Sequence, residues 1–328
     1  MSVASEILID AQRFVRGSNG FTSSVNVLLR SAGRSLLRSP VLGLFHPSIQ
    51  KVKNVAKPAG LLSIRYSPST QFASPPYCNL TIISANLCHG WPNQADLLER
   101  LESFAHLVEQ QNADIILLQE VSRTPEFRVD EWLSERLGMA YVYSRANGHQ
   151  SIGFEEGVAV YSRFSLSAPR LKEFSNSLNP FVRRVALGAF VDTPFGRFPF
   201  FSVHLGITPY ENAAQIIHLR EWVSDIARTQ SAFIGGDFNT NEGTPQIRYA
   251  QGEWVDTFRH IHPHSDGSTH ELRWPWGRVI RRSRLDYIFL KPGEQPWRVK
   301  DSKHLDPLEN SFSDHRAVLT RLEPLLQS

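Results

Sequence analysis

The sequence predicts a mixed α and β protein in which two β-sheets pack together and helices cover their outer sides. Three observations lead to this prediction. Short apolar runs rich in β-branched residues recur along the chain, only a few segments between them have helical spacing, and 20 glycines and 20 prolines provide for many turns. Many strands with few intervening helices are typical of two packed sheets with outer helices.

Strands are predicted where a short apolar run ends at turn or polar residues. In chain order these runs are residues 80–87, 114–121, 157–162, 185–191, 198–204, 231–234, 285–290 and 317–322. Apolar residues three and four positions apart predict helices. The helical segments are residues 25–37, 93–108, 128–137 and 210–227.

The first part of the chain differs in charge from the rest. Between Ala11 and Ala95 there is no Asp or Glu, whereas nine Lys and Arg residues occur there. The Ser- and Pro-rich segment 67–76 has the composition of a linker. We therefore predict a basic N-terminal extension with its linker over residues 1–76 and a folded domain over residues 77–328. Residues 1–66 are predicted to be a surface-lying or partly disordered extension, or to contact an anionic membrane surface or another anionic ligand.

Bulk properties exclude several classes of protein. The two cysteines flank one short apolar run, so a disulfide scaffold is excluded. No apolar run approaches the roughly 20 residues that span a bilayer, and the N-terminus lacks the pattern of a secretory signal. A net charge of +3 is too small to demonstrate nucleic-acid binding. These features predict a cytoplasmic protein or one peripheral to a membrane, and they leave the oligomeric state open.

Polar residues recur at the ends of the predicted strands. Strand ends of two packed sheets converge on one rim, where carboxylates, amides and imidazoles are costly unless they are hydrated, paired or bound to metal. Taken singly, each residue is as typical of a turn or of a structural histidine. The residues are Asn86, Glu120, His204, Asp237, Asn239, Asp286, Asp314 and His315.

Seven motifs in this order resemble those of the endonuclease/exonuclease/phosphatase superfamily. They are Asn-Leu at 86–87, Gln-Glu-Val at 119–121, Gly-Val-Ala-Val-Tyr-Ser-Arg at 157–163, Ser-Val-His-Leu at 202–205, Gly-Gly-Asp-Phe-Asn at 235–239, Arg-Leu-Asp-Tyr-Ile-Phe at 284–289 and Ser-Asp-His at 313–315. The resemblance covers residues 78–325. It implies a four-layer αββα sandwich of two mainly antiparallel sheets, with a catalytic site on one edge.

The resemblance also implies a Mg²⁺-dependent phosphoesterase that hydrolyses a phosphodiester with an activated water molecule, with Mn²⁺ as an alternative ion. Glu120 matches the metal ligand of the family, and a carboxylate oxygen suits a hard cation. Asn86 would hold the metal or a phosphate oxygen, and Asp314 would contribute to the metal site. Asp237 would orient or deprotonate the water, with Asn239 fixing its position.

The remaining matches concern the phosphate and the leaving group. His315 would donate to a phosphoryl oxygen, and Asp286 would orient this histidine and keep it charged. His204 corresponds to the second histidine of the deoxyribonuclease and sphingomyelinase branches, with Glu156 as its acidic partner. A carboxylate-paired histidine at the leaving oxygen is suited to general acid catalysis. Arg184 is a candidate phosphate contact.

The branch and the substrate stay open. Cys88 and His204 stand where abasic-site endonucleases carry Asp and Tyr, which favours the deoxyribonuclease and neutral sphingomyelinase side. The predicted substrate is a nucleic acid or a phospholipid headgroup, and the alternative is a binding module without catalytic activity. Trp274 and Trp276, followed by several arginines, are typical of base stacking, of a lipid contact or of a loop packed on the domain.

Overall fold

The structure, a computed structural model, describes residues 62–65, 78–90, 94–149, 152–174, 182–274, 276, 278–305 and 312–325. The helix predicted over residues 25–37 lies outside these ranges. So does the predicted surface contact of residues 1–66, apart from residues 62–65. Within the described residues, Cys78 and Cys88 form no disulfide bond.

The described chain forms fifteen strands. They are β1 (Leu62–Arg65), β2 (Leu80–Asn86), β3 (Ile115–Arg123), β4 (Ala140–His149), β5 (Phe154–Ser162), β6 (Leu166–Phe174), β7 (Arg184–Thr193), β8 (Gly196–His204), β9 (Ala232–Asp237), β10 (Val255–Asp256), β11 (His270–Arg273), β12 (Val279–Ser283), β13 (Asp286–Lys291), β14 (Trp297–Leu305) and β15 (Ala317–Pro324).

Five helices occur in the same ranges. They are α1 (Leu97–Gln111), α2 (Val129–Leu137), α3 (Pro209–Ala227), α4 (Pro245–Gln251) and α5 (Thr257–Ile261). Asn112 and Gly138, both with left-handed backbone, end α1 and α2. Pro209 and Pro245 occupy the first helical positions of α3 and α4, where a missing N–H costs nothing. Among these helices none combines the length and the apolar character needed to cross a bilayer.

The strands form two large sheets and one small one. The first sheet has the order β1-β4-β5-β3-β2-β15-β14, and the second has the order β10-β13-β9-β8-β7-β6. Neighbours are antiparallel except for β2 with β3 and β8 with β9, which are parallel. Strands β11 and β12 form a separate two-stranded hairpin.

Three apolar clusters divide the fold into four layers. The inner faces of the two sheets share one cluster, which includes Ile82 and Phe233. On the outer face of the first sheet, helices α1 and α2 pack through residues such as Phe104. On the outer face of the second sheet, α3 and α4 pack through residues such as Leu219. The predicted αββα sandwich of two mainly antiparallel sheets is therefore confirmed.

Several strands were not predicted from the sequence. Strands β6 and β14 lie at sheet edges and carry charged or intermediate positions along their length, which hides the apolar alternation. Strand β1 lies within the segment predicted as an extension, yet it pairs with β4 at the edge of the first sheet. Four residues of that segment thus belong to the sandwich.

The inner faces of the central strands change from apolar to polar toward one end of the sandwich. Successive inward residues on one strand lie two positions apart. On β2 they are Ile82, Ser84 and Asn86, and on β9 they are Phe233, Gly235 and Asp237. Strand β8 shows the same series with Phe200, Ser202 and His204. The polar end of each series belongs to the rim that was predicted to hold the site.

Gly235 allows the two sheets to approach closely one step behind this rim. A Cβ at this glycine would lie 2.7 Å from Leu117 Cδ1 and 3.0 Å from Ser84 Cβ, both on the first sheet. These distances are shorter than ordinary van der Waals contact. A larger residue would therefore push the sheets apart next to Asp237.

We predict that Gly235→Ala destabilises the fold by about 1–3 kcal/mol, as overpacking of a core does. Urea unfolding followed by circular dichroism measures this loss. Leu117→Ala in the same chain removes the opposing methyl group, so the two changes together should cost less than the sum of their separate effects. Additive effects would contradict the close approach described here.

Candidate active site

The register of the second sheet places three predicted residues in one row. Asp286 on β13 pairs with Asp237 on β9, and Asp237 pairs with His204 on β8. Directly paired residues lie on the same face of a sheet. All three are buried, and His204 Nε2 lies 3.7 Å from Asp237 Oδ2.

Asn86 connects this row to the first sheet. Its Nδ2 donates to Asp237 Oδ2 at 3.1 Å and to Glu120 Oε1 at 3.2 Å. Its Oδ1 accepts from the backbone N–H of Cys88 at 2.9 Å, which fixes the orientation of the amide. One neutral side chain thus separates two carboxylates that would otherwise repel each other.

A bulge in β3 directs Glu120 into the rim. The pairing of β3 with β5 shifts between Leu118 and Val121, so Glu120 lies outside the regular ladder and has a φ of 55°. A positive φ is uncommon for a residue with a Cβ and costs free energy. Its side chain is 22% exposed, which leaves the carboxylate accessible.

Asp237 is a buried carboxylate whose environment favours the protonated form. Burial and the neighbouring charge of Asp286 raise its pKa to about 7. The backbone N–H of Asn239 donates to Asp237 Oδ1 at 2.8 Å, and Asn239 Nδ2 donates to the carbonyl of Leu205 at 3.0 Å. Asn239 therefore holds Asp237 in place, and a pKa near neutrality suits a group that exchanges protons.

Asp286 and His315 form a buried carboxylate–imidazole pair. His315 Nδ1 lies 2.8 Å from Asp286 Oδ2. Burial alone would lower the pKa of His315, but the charges of Asp286, Asp237 and Asp314 outweigh it and hold this pKa well above its usual value. The imidazole is therefore charged. With Nδ1 held by Asp286, Nε2 is the atom that remains for another partner.

Thr269 fixes the backbone on both sides of this pair. Its Oγ1 accepts from the backbone N–H groups of Leu285 at 3.0 Å and Asp286 at 3.1 Å. Its carbonyl accepts from the N–H of Arg316 at 2.7 Å, next to His315. One buried threonine thus couples the start of β13 to the Ser-Asp-His segment.

A buried arginine anchors the segment that follows Asn239. Arg284 makes two hydrogen bonds with Asp256, at 2.8 and 2.6 Å, and a third with Glu242 at 3.1 Å. Its backbone N–H also donates to Asn241 Oδ1 at 3.2 Å. A bidentate guanidinium–carboxylate pair is geometrically specific. Arg284 therefore fixes the position of Asn241 and Glu242, which follow Asn239 in the chain.

His204 is in hydrogen-bond contact with Arg184. An Nη of Arg184 lies 2.7 Å from His204 Nε2, and since arginine can only donate, this nitrogen is the acceptor. Burial lowers the pKa of His204 well below its usual value, and the charges of Arg184, His315 and His89 act in the same direction. The imidazole is therefore neutral in this arrangement.

Glu156 is buried and bonded to Asn147. Asn147 Nδ2 donates to Glu156 Oε1 at 2.5 Å and to the carbonyl of Arg183 at 3.2 Å. Burial raises the pKa of Glu156. Asn147 on β4 was not among the predicted residues, since β4 itself was not predicted. The catalytic partnership of Glu156 with His204 stays a prediction.

Asp314 and Glu120 are both close enough to Cys88 to affect its thiol electrostatically. Asp314 is exposed, and with Cys88 it lines a cleft of about 560 Å³. Burial, together with the charges of Asp314 and Glu120, raises the pKa of the Cys88 thiol to about 12. Cys88 is therefore protonated at neutral pH, which does not suit a thiolate ligand.

His89 is a site residue that the sequence analysis missed. Its backbone N–H donates to Glu120 Oε2 at 3.2 Å, and its ring Nε2 lies 3.6 Å from the same oxygen. Its ring also packs against Phe154, with 5.0 Å between centroids. His89 lies three residues after Asn86, just beyond the end of β2, and this position could have indicated that it belongs to the site.

The donor groups of the rim fit a hard divalent cation. Carboxylate oxygens of Asp237 and Asp286 lie within 4.8 Å of each other, and a nitrogen of the charged His315 lies within the same distance of both. Asp286 Oδ1 is buried and has no hydrogen-bond partner within the described residues. Glu120 and Asn86, two of the three predicted ligands, are in contact with each other. Carboxylate and amide oxygens are the donors that Mg²⁺ prefers.

A sequence model of the Endonuclease/Exonuclease/phosphatase family matches residues 83–315. This range includes every predicted site residue. A sequence search of curated proteins gave no match.

Solved structures share the fold. An endonuclease/exonuclease/phosphatase family protein from Leptotrichia buccalis aligns with a TM-score of 0.62 and 21% identity, over 74% of this chain and 99% of its own. D. rerio TDP2 complexed with a single-strand DNA product aligns with a TM-score of 0.59 and 16% identity, over 75% and 100%. A Beutenbergia cavernae endonuclease/exonuclease/phosphatase aligns with a TM-score of 0.57 and 19% identity, over 76% and 72%.

We predict that Thr269→Val costs about 1–3 kcal/mol of folding free energy, because it leaves buried N–H groups without their acceptor. Thr269→Ser keeps Oγ and is the matched control. In ¹H NMR spectra the low-field imidazole proton of His315 should shift or broaden in the Val variant and not in the Ser variant. A Val variant with the stability and His315 signal of the wild type would contradict the coupling.

The pKa of Asp237 predicts a pH dependence of stability. The pKa is raised from its usual value near 4 to about 7. A group whose pKa is higher in the folded state contributes its full stability below the unfolded pKa, and this contribution is lost as pH rises through the folded pKa. In metal-free protein, the free energy of unfolding should therefore fall between pH 4 and 7.

Asp237→Asn removes this titration, so its free energy of unfolding should decline less steeply over the same range. Urea unfolding in EDTA at several pH values measures both slopes. Asp192→Asn, at an exposed turn-proximal position of β7, is the control and should retain the wild-type slope. Equal slopes for wild type and Asp237→Asn would show that the pKa of Asp237 is not raised.

Proposed function

This chain belongs to the Endonuclease/Exonuclease/phosphatase family, and on that premise we propose that it is a Mg²⁺-dependent phosphoesterase that hydrolyses a phosphodiester. Members of this family are generally hydrolases of phosphoesters. The observation that carries the proposal is the buried Asp286–His315 pair beside Asp237, with carboxylate oxygens and an imidazole nitrogen within 4.8 Å of one another. A charged imidazole and a carboxylate of near-neutral pKa in one place suit attack of water on a phosphate.

Glu120 and Asn86 would hold the metal ion, with Asp314 as a third candidate, and Mn²⁺ is the alternative to Mg²⁺. When bound, the cation neutralises charge on the phosphate and stabilises the charge that develops during the reaction. Glu120 presents its accessible carboxylate to the rim, while Asn86 and His89 each donate one hydrogen bond to it.

Asp237 would accept the proton of the attacking water. A pKa of about 7 makes it a stronger base than an ordinary aspartate and still leaves a large ionised fraction near neutral pH. Asn239 restrains one carboxylate oxygen through its backbone N–H. The other oxygen is held by Asn86, so the carboxylate cannot turn away from the phosphate.

His315 would donate from Nε2 to a phosphoryl oxygen. Asp286 holds Nδ1 and keeps the ring charged, so the donor is oriented before the substrate arrives. Preoriented donors in a buried site stabilise developing charge without reorganisation.

Arg184 and His204 would act at the leaving-group side. The guanidinium of Arg184 is bonded to His204 Nε2 in the present arrangement. A phosphate oxygen is a better acceptor for guanidinium than a neutral imidazole is. We expect the substrate to draw Arg184 to the phosphate. This would free His204 Nε2 for the leaving oxygen, with buried Glu156 nearby as its predicted partner.

Two substrate classes remain for this site, a nucleic acid and a phospholipid headgroup. The same fold accommodates a single-strand DNA product in D. rerio TDP2, so a nucleic-acid diester is a class that the fold accepts. A binding module without activity is the competing function. The presence of Glu120, Asp237 and His315 together argues against it. Burying ionisable groups costs free energy, and a binding module without activity does not require them.

Hydrolysis of bis(p-nitrophenyl) phosphate, with Mg²⁺ and with EDTA, tests the proposal. Asp237→Asn and His315→Ala should each lower kcat by about 10²–10⁴, the usual contribution of acid–base groups. Asp192→Asn and His106→Ala change matching residue types at exposed positions and should keep wild-type rates. Unchanged rates in both site variants, or full activity in EDTA, would refute the mechanism.

A further inference from the structure

The hairpin of β11 and β12 projects from the sandwich next to the catalytic histidine. Its first residue, His270, forms an isolated antiparallel bridge with His315, and the two rings lie 4.7 Å apart between centroids. Thr269, directly before it, bonds to Leu285, Asp286 and Arg316. The base of the hairpin is therefore fixed to the site.

The tip of the hairpin exposes two stacked indoles. Trp274 is 47% exposed and Trp276 is 73% exposed, whereas Trp254 in the core is 2% exposed. The two rings are parallel within 2° and their centroids lie 5.0 Å apart. The backbone N–H of Trp274 donates to the carbonyl of Arg278 at 2.9 Å. An exposed patch of two large aromatic side chains is typical of a binding surface.

The charge of the hairpin is strongly positive. Residues 270–283 contain four arginines and one glutamate. The side chains of Arg278, Arg281 and Arg282 are exposed, and Arg282 pairs with Glu271 at 2.9 Å. Exposed arginines beside aromatic rings are complementary to a strand of phosphates with bases attached.

The indoles lie within a few nucleotides of the reacting phosphate. Trp274 lies four positions after His270, which corresponds to about 13 Å of extended strand. A nucleic-acid strand with one phosphate at His315 would therefore reach the indoles along the hairpin. An unpaired base offers a free face for stacking, whereas the faces of duplex bases are already stacked on their neighbours.

We propose that the Trp274–Trp276 pair and the arginines of this hairpin bind unpaired bases and phosphates of a single-stranded nucleic acid whose diester lies at the catalytic site. This inference rests on the proposed function and names its substrate class. Stacking on the indoles supplies affinity without base specificity, and the arginines contribute a salt-dependent attraction to phosphate.

Fluorescence anisotropy with the full chain tests the inference. The probe is a fluorescein-labelled oligothymidylate of 12 nucleotides with phosphorothioate linkages, which resist hydrolysis. Trp274→Ala with Trp276→Ala should raise its Kd tenfold or more, because stacking on an aromatic ring contributes about fivefold or more per base and two rings are removed. Leu98→Ala, at a residue that is 53% exposed on α1, is the control and should leave the Kd unchanged.

Two further measurements sharpen the result. Arg281→Ala should reduce the slope of log K against log salt by about 0.7, the value for one phosphate of a single strand. The double Trp variant should hydrolyse bis(p-nitrophenyl) phosphate at the wild-type rate, because this small diester does not reach the hairpin tip.

Three outcomes would overturn the inference. The first is an unchanged Kd for the oligonucleotide in the double Trp variant. The second is an equal loss of affinity for a 12-base-pair duplex in that variant. The third is a loss of binding to phosphatidylserine-containing vesicles in that variant while its Kd for the oligonucleotide is unchanged. The last outcome would make the hairpin a membrane contact. If the wild type fails to hydrolyse the small diester while oligonucleotide binding depends on the Trp pair, the inference stands and the catalytic proposal fails.

Discussion

The side-chain amide of Asn86 is the interaction on which the rest of the site depends. It donates to a carboxylate on each sheet, Glu120 on the first and Asp237 on the second. Two carboxylates facing each other across the edge of a sandwich would repel, which would favour separation of the sheets there. A neutral donor between them lets both stay in place. Backbone N–H groups hold the other oxygen of each carboxylate, that of Asn239 at Asp237 Oδ1 and that of His89 at Glu120 Oε2.

The location of the site follows from the way in which the sandwich is packed. Its inner faces are apolar over most of their length and become polar only at one rim, where the strands end. The rim also concentrates unfavourable backbone geometry. Glu120, Cys88 and Asn239 all have positive φ values, at 55°, 49° and 51°. Such residues cost stability and persist only when their surroundings hold them, which the inner apolar cluster does.

Much of this arrangement could be predicted from the sequence because it depends on strand ends. Asn86, Glu120, His204, Asp237 and Asp286 each end or begin an apolar run, and strand periodicity then places them on one rim. Contacts between residues far apart in the chain were beyond that reasoning. Thr269 lies in a polar loop and bonds to Asp286 only through the fold. Asn147 lies on a strand whose pattern was too mixed to recognise, and it bonds to Glu156. The pairing of Arg184 with His204 depends on rotamers that no spacing rule supplies.

The close approach of the sheets at Gly235 has a consequence for protein engineering. The segment Gly-Gly-Asp-Phe-Asn looks portable, since it is short and contains Asp237, the proposed general base. Yet Gly235 packs closely against Ser84 on β2 and Leu117 on β3. The segment and these two strands therefore depend on one another for their packing. Chimeras made with relatives about 20% identical to this chain would have to exchange β2, β3 and β9 together. A graft of β9 alone would bring the carboxylate without the spacing between the sheets that it requires.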